Sequence, residues 1–293
     1  MASDPTYFDL TIRGQVRLER VKSAEVRDFL ALYPKLERQI RRAIADLDKD
    51  FSELTKRELR EFIALIRDEQ TALYAAAVDN YLSDAAKLSA LALNQEVLNL
   101  QRTIDLSDTS LRVFTRKQTF SKVINRPLSA NGELLKPYVD NMTKTEVRRV
   151  SNTVSQGWVQ GETNQQITQR LIGTKARNYK DGILDTSRRN AETIVRTATQ
   201  HVSSAARQEL WEANTDVLDG YEYLATLDRK TSVQCRSLDG KKFEFGKGPI
   251  PPIHPRCRST TVPLLNEKYS FLEGGGTRSA EFGPVKEETT YYE

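Results

Sequence analysis

The side chains best suited to chemistry in this 293-residue chain lie close together, as Asp228, Cys235, His254 and Cys257. Thiolate and imidazole are the ligands zinc prefers, so the spacing Cys235-x18-His254-x2-Cys257 invites a metal reading. The set is one ligand short, and Asp228 or Asp239 would have to complete a tetrahedron. Two other readings stand beside it. The two cysteines, the only ones in the chain, can pair as a disulfide where the compartment is oxidising. Alternatively they are small buried apolar groups, with His254 a hydrogen-bonding residue that pins the Pro-Pro-Ile-His-Pro turn. Zinc is therefore the one cofactor considered.

Other catalytic chemistry finds little support. Only His201 and His254 are available as histidine acid or base, and no H-E-x-x-H, phosphate-binding loop or G-x-S-x-G occurs. His201 reads as a helix-surface or packing residue. A metal-dependent nucleic-acid enzyme built on Cys235, His254 and Cys257 is the enzymatic alternative, and it lacks a second histidine.

Charge is distributed unevenly along the chain. The whole carries 44 basic and 40 acidic residues, but residues 121–189 hold 12 against 6 and residues 228–258 hold 8 against 3. Arg148, Arg149, Arg170, Lys175, Arg177, Lys180, Arg188 and Arg189 are candidate contacts to DNA phosphates, since nonspecific affinity comes from clustered cations. A solvated helical face explains them equally well, and a nonspecific DNA-binding module is a further alternative. Arg256 and Arg258 are candidate contacts to acidic groups of a protein partner. After residue 266 the sign reverses, to 3 basic and 6 acidic residues, so 266–293, with Gly274-Gly275-Gly276, is expected to be a flexible acidic tail.

Local signals say how the motif is held. Asp228 accepts amides two or three residues on, and Thr231 starts a short helical turn carrying Cys235. Asp239-Gly240 supplies a tight turn into a strand from Lys241 to Phe245. Pro251, Pro252 and Pro255 stiffen the chain so that His254 and Cys257 come within reach of Cys235. A strand in which Tyr221, Tyr223 and Ala225 alternate with Glu222, Leu224 and Thr226 leads in.

Upstream the pattern is helical. Apolar residues from Val26 to Ile44 recur at helical intervals, with Pro34 as a break. Thr55 and Glu58 form a capping box opening a helix that nothing stops before about residue 104. Its Ala-rich part suits a helical hairpin or projecting arm, or else an ordinary bundle. Residues 105–138 read as a linker or small hairpin, with turns at Arg126-Pro127 and Asn131-Gly132. Thr143 with Glu146, Thr163 with Gln166, and Thr186 or Ser187 open three further helices, the last with Ala191, Ile194, Val195, Ala198, Val202 and Ala205 on one face. The expected fold class is α+β, predominantly α-helical. Its expected divisions are a helical region 1–115, a mixed domain 116–265 and the tail. No run is long and apolar enough for a membrane span, and the start lacks signal-peptide features, so synthesis and retention in the cytoplasm are expected.

At Asp228, Thr231-Ser232, Cys235, Leu238-Asp239-Gly240 and Pro251-Pro252-Ile253-His254-Pro255-Arg256-Cys257-Arg258-Ser259, the chain resembles the phage Mu F-like minor head proteins, or phage head morphogenesis family. Ile194-Val195-Arg196-Thr197 is similar to the Arg-Thr that precedes the motif there, and the resemblance spans roughly residues 118–265. It implies a structural, noncatalytic protein of a tailed bacteriophage. It further implies residence in the head interior, association with the portal protein and contact with packaged double-stranded DNA and the major capsid protein. The implied role is in assembly, packaging or ejection. A released virion would also permit the disulfide.

Overall fold

A computed structural model describes residues 6–104, 110–269, 276–281 and 283–292. Residues 1–5 of the start, the linker's first residues 105–109, and Gly274 and Gly275 of the glycine run lie outside the described residues. The fold is α+β and predominantly helical, as expected. It forms two compact units, and neither is continuous in sequence. One comprises Glu25–Leu82 and Lys136–Val195; the other comprises Met1–Ala24, Ser83–Leu135 and Arg196–Glu293. This division differs from the one expected at residues 115 and 265, because long helices pass from one unit into the other: α1 (Tyr7–Leu30), α3 (Lys56–Thr103) and α7 (Ile183–Ala213).

The first unit is built from helices. Pro34 stands in the first turn of α2 (Tyr33–Ala45), where its missing N–H costs nothing. Tyr33, Leu36, Ile40 and Ile44 bury one stripe of α2. Thr55 and Glu58 cap each other at the start of α3. That helix is no bare arm, since buried residues recur every three or four positions from Leu59 through Phe62, Ile66, Gln70, Tyr74 and Val78. Helix α5 (Leu135–Val159) starts eight residues before Thr143, which corrects the expected capping box. Pro137 is tolerated in the first turn of α5. Glu146 is buried instead and accepts from Ser187 and Asn190, with Arg149 as its ion pair at 3.0 Å. The box at Thr163 and Gln166 is present and opens α6 (Asn164–Ile172). Helix α7 begins at Ile183, ahead of the expected Thr186 or Ser187.

The second unit holds the sheet. Strands β1 (Leu218–Leu224), β2 (Lys242–Glu244) and β3 (Thr260–Leu265) are antiparallel in the order β2-β1-β3. Tyr221 and Tyr223 are buried as expected, but Leu224 is buried too, so β1 is covered on both faces. The apolar core gathers Tyr7 and Phe8 of α1, Leu93 and Leu100 of α3, and Leu210 and Trp211 of α7 against β1 and β3. Inside it, buried Glu96 accepts from Tyr7, from Trp211 Nε1 at 2.7 Å and from Arg207 Nε at 3.0 Å. Arg207 also donates to Thr260 and to the Thr261 carbonyl, tying α7 to β3.

Two elements of this unit depart from expectation. Helix α4 (Arg116–Asn125), capped by Thr115 and Gln118, occupies part of the expected linker. The described part of 276–292 is not a solvated tail. It forms a hairpin of β4 (Thr277–Ala280) and β5 (Gly283–Lys286), and Arg278 inserts into the fold to meet Asp239 with both side chains no more than 2% exposed.

Candidate functional site

The motif is assembled by short, locally specified pieces. Asp228 accepts the Lys230 amide at 2.9 Å, as expected. The following helix, α8 (Val233–Leu238), is capped one residue later than expected, by Ser232, whose Oγ accepts the Cys235 amide at 3.2 Å. Thr231 is buried and donates to Thr226 O and Asp228. Gly240, at φ +74°, makes the turn from α8 into β2 possible, a backbone region L side chains avoid. Cys257 follows the proline-rich turn, and the neighbouring Arg256 N–H donates to Thr197 Oγ1 at 3.0 Å. Thr197 is thus the residue of α7 that docks this loop.

These pieces bring Cys235, His254 and Cys257 together, with one ligating atom from each within 4.8 Å of the others. Cys235 Sγ lies 3.1 Å from His254 Nε2 and 3.7 Å from Cys257 Sγ. The sulfurs stand unbonded, since a disulfide needs about 2.05 Å. Both cysteines are 1% exposed. The imidazole Nδ1 is 2.8 Å from the Pro255 carbonyl, which can only accept, so Nδ1 carries the proton and the Nε2 lone pair faces sulfur.

The surroundings polarise the pair unequally. The Cys235–Cys257 hydrogen bond, seconded by burial, pushes the Cys235 thiol up to about 12. The same bond draws Cys257 down to about 6 against the effect of burial. The two thiols are thus coupled, and the pair loses its first proton more readily than an isolated buried thiol would. Tyr223, its hydroxyl 3.2 Å from Cys235 Sγ, is raised by burial and by both sulfurs. Such a pair is a soft ligand set but a poor nucleophile for external substrates, because it is buried.

Neither carboxylate proposed to complete a tetrahedron joins the cluster. Asp228 is held by Arg258 in two bonds of 2.5 and 2.7 Å, and the arginine beside it keeps its carboxyl below the usual range. Arg258 is thereby engaged within the chain while its side chain stays partly exposed, and Arg256 is exposed at φ +59°. Asp239 is taken by Arg278 and by the Ala225 and Tyr291 amides.

Three residues around the cluster escape sequence reasoning. Tyr223 lines it from β1. Ser259 is buried, and its hydroxyl lowers the pKa of both thiols. Lys22, 1% exposed on α1, donates to the Cys257 carbonyl at 3.2 Å and to Glu19 at 2.6 Å, and burial pulls its ammonium down. Lys22 has a detectable signal, since it occupies the apolar stripe of Leu18, Val26 and Phe29.

The eight candidate phosphate contacts all lie in the other unit. Arg149 pairs with Glu146, Arg170 with Glu162, Arg189 with Asp185, and Arg188 stacks over Tyr33. Arg148 is exposed on α5, and Lys175, Arg177 and Lys180 are exposed on one loop. That loop is closed by Asp181, which accepts the Thr174 amide and hydroxyl at 2.8 and 2.7 Å, and Asn178 and Tyr179 in it take left-handed φ of 51° and 60°. His201 is a packing residue: it is 3% exposed, with Nε2 3.4 Å from the Val123 carbonyl.

Residues 148–262 match the family model described as Phage Mu protein F like protein. This segment is similar to phage Mu F-like proteins. The match includes α6, α7, β1, α8, β2 and the start of β3, and with them the whole Cys–His cluster. The family is one of phage head morphogenesis proteins and is generally structural. No curated protein and no solved structure matches the chain. No helix among the described residues is long and apolar enough to cross a membrane.

Proposed function

We propose that this protein is a minor head protein of a tailed bacteriophage, bound to the portal on the interior of the head, where it assists assembly, packaging or ejection of DNA without catalysing a reaction. The observation that carries this reading is the family match over 148–262. The burial of both thiols and the packing of His201 agree with a noncatalytic role. In this reading packaged DNA meets the unit that carries the basic loop, where Lys175, Arg177 and Lys180 project from a closed backbone toward solvent. Clustered cations of this kind bind phosphate without reading bases. Neighbouring portal and coat subunits meet the exposed Arg256.

The test is compositional. Mass spectrometry of purified virions is expected to find the chain at low copy number, and crosslinking of procapsids is expected to join it to the portal subunit. Virions that lack the chain while infected lysates contain it would overturn the proposal.

A further inference from the structure

We propose that Cys235, His254 and Cys257 form a zinc(II) site whose fourth position lies beside Ser259. The proposal goes beyond the head-protein reading and does not rest on it.

Geometry carries the inference. With Zn–S bonds of about 2.3 Å, two thiolates on a tetrahedral zinc stand about 3.8 Å apart. The two sulfurs stand at 3.7 Å. For an imidazole bound at about 2.05 Å, the sulfur to nitrogen edge is about 3.6 Å. Here it is 3.1 Å, so the imidazole has to withdraw by about half an ångström on binding. His254 is only half-buried, on the proline-rich loop, and has room to do so.

The imidazole is also prepared as a ligand. Zinc-bound histidines hold their second ring nitrogen on a carbonyl or carboxylate, which fixes the tautomer and aims the lone pair. The Pro255 carbonyl does this for Nδ1. The Ser232 cap fixes Cys235, and the bond from the Arg256 amide to Thr197 fixes the loop ahead of Cys257. The ligands therefore converge through protein contacts alone.

The ligand set selects the ion. Two sulfurs and one nitrogen disfavour magnesium and calcium, which take oxygen ligands. Asp228 and Asp239 are each committed to an arginine, so neither carboxylate is available. Ser259, 2% exposed and two residues on from Cys257, supplies a hydroxyl on the same side of the cluster as both thiols, whose acidity it raises, so the remaining corner is to be filled by that oxygen or by water. Bound there, zinc would clip α8 and the proline-rich loop against β1.

The full chain, purified under reducing conditions, is expected to carry one zinc per molecule by elemental mass spectrometry. Titration of the metal-stripped protein with cobalt(II) is expected to give thiolate-to-metal absorption. Cys257→Ser should abolish that band, Asp228→Asn should leave it unchanged, and Ser259→Cys should intensify it and tighten zinc by about tenfold or more by adding a third thiolate. Should Cys257→Ser fail to fold, Ser259→Cys and His254→Ala, which alters a half-exposed side chain, still decide the matter. Absence of zinc and of the cobalt band in the wild-type chain would overturn the site. So would affinity unmoved by both Ser259→Cys and His254→Ala.

Discussion

Asp239 and Arg278 show how much a single pair can decide. Both are buried, their bond is 2.6 Å, and Asp239 also orders the Ala225 and Tyr291 amides. Removing one partner leaves the other as an uncompensated buried charge, which typically costs roughly 3–5 kcal/mol. Arg278→Ala is expected to lower unfolding free energy by that order in urea titrations, whereas Lys286→Ala on the neighbouring strand, an exposed residue, should leave it nearly unchanged. His201 makes a different prediction. Burial draws its pKa down to about 4 from the usual 6.5, so between those values the unfolded chain binds a proton that the native chain does not. Stability is therefore lost as pH falls through 6.5 toward 4, by about 2 kcal/mol from His201 alone between pH 7.5 and 5. His201→Gln should flatten that part of the curve, and comparable pH dependence in the two proteins would count against a buried neutral His201.

At the scale of elements, capping residues distinguish real helix starts from imitations. Thr163 holds a complete box with Gln166, and Thr163→Ala is expected to cost about 1 kcal/mol. Thr143 has the same sequence signature, Thr-x-x-Glu, yet lies inside α5, where its hydroxyl finds no partner among the described residues. Thr143→Ala should therefore be neutral or stabilising, while Glu146→Ala, which strands Ser187 and Asn190, should cost more than either threonine change. Thermal melts of the three variants would rank them, and Thr143→Ala as damaging as Thr163→Ala would contradict this account. The contrast also explains what was legible beforehand. Helices declared by periodicity, such as α3 and α7, were readable over most of their length, and the turn chemistry of Asp228 to Cys257 was readable almost residue by residue because its bonds are local. The start of α5 was not, because a capping box is only a local option. Eight earlier residues adopt helix here, and Glu146 is claimed by α7 instead.

For the whole molecule, what was illegible is nonlocal. Residues 1–24, 83–135 and 196–293 make one unit, and no composition shift marks a unit assembled from three distant segments. Lys22 reaching Cys257, and Arg278 reaching Asp239, are contacts across 235 and 39 positions; their partners cannot be named from spacing. The division does separate two chemistries, with the Cys–His cluster in that unit and the eight candidate phosphate contacts in the other. If DNA is met through the basic loop, each phosphate contact contributes about 0.9 to the slope of log affinity against log salt. Replacing Lys175, Arg177 and Lys180 together by alanine should then weaken binding to duplexes of any sequence and flatten that slope by about 2 to 3. The exposed position of all three side chains means that stability should change little. An unchanged salt slope in the triple variant would move the DNA contact off this loop, because a loop that touched phosphate could not lose three cations without releasing fewer counterions.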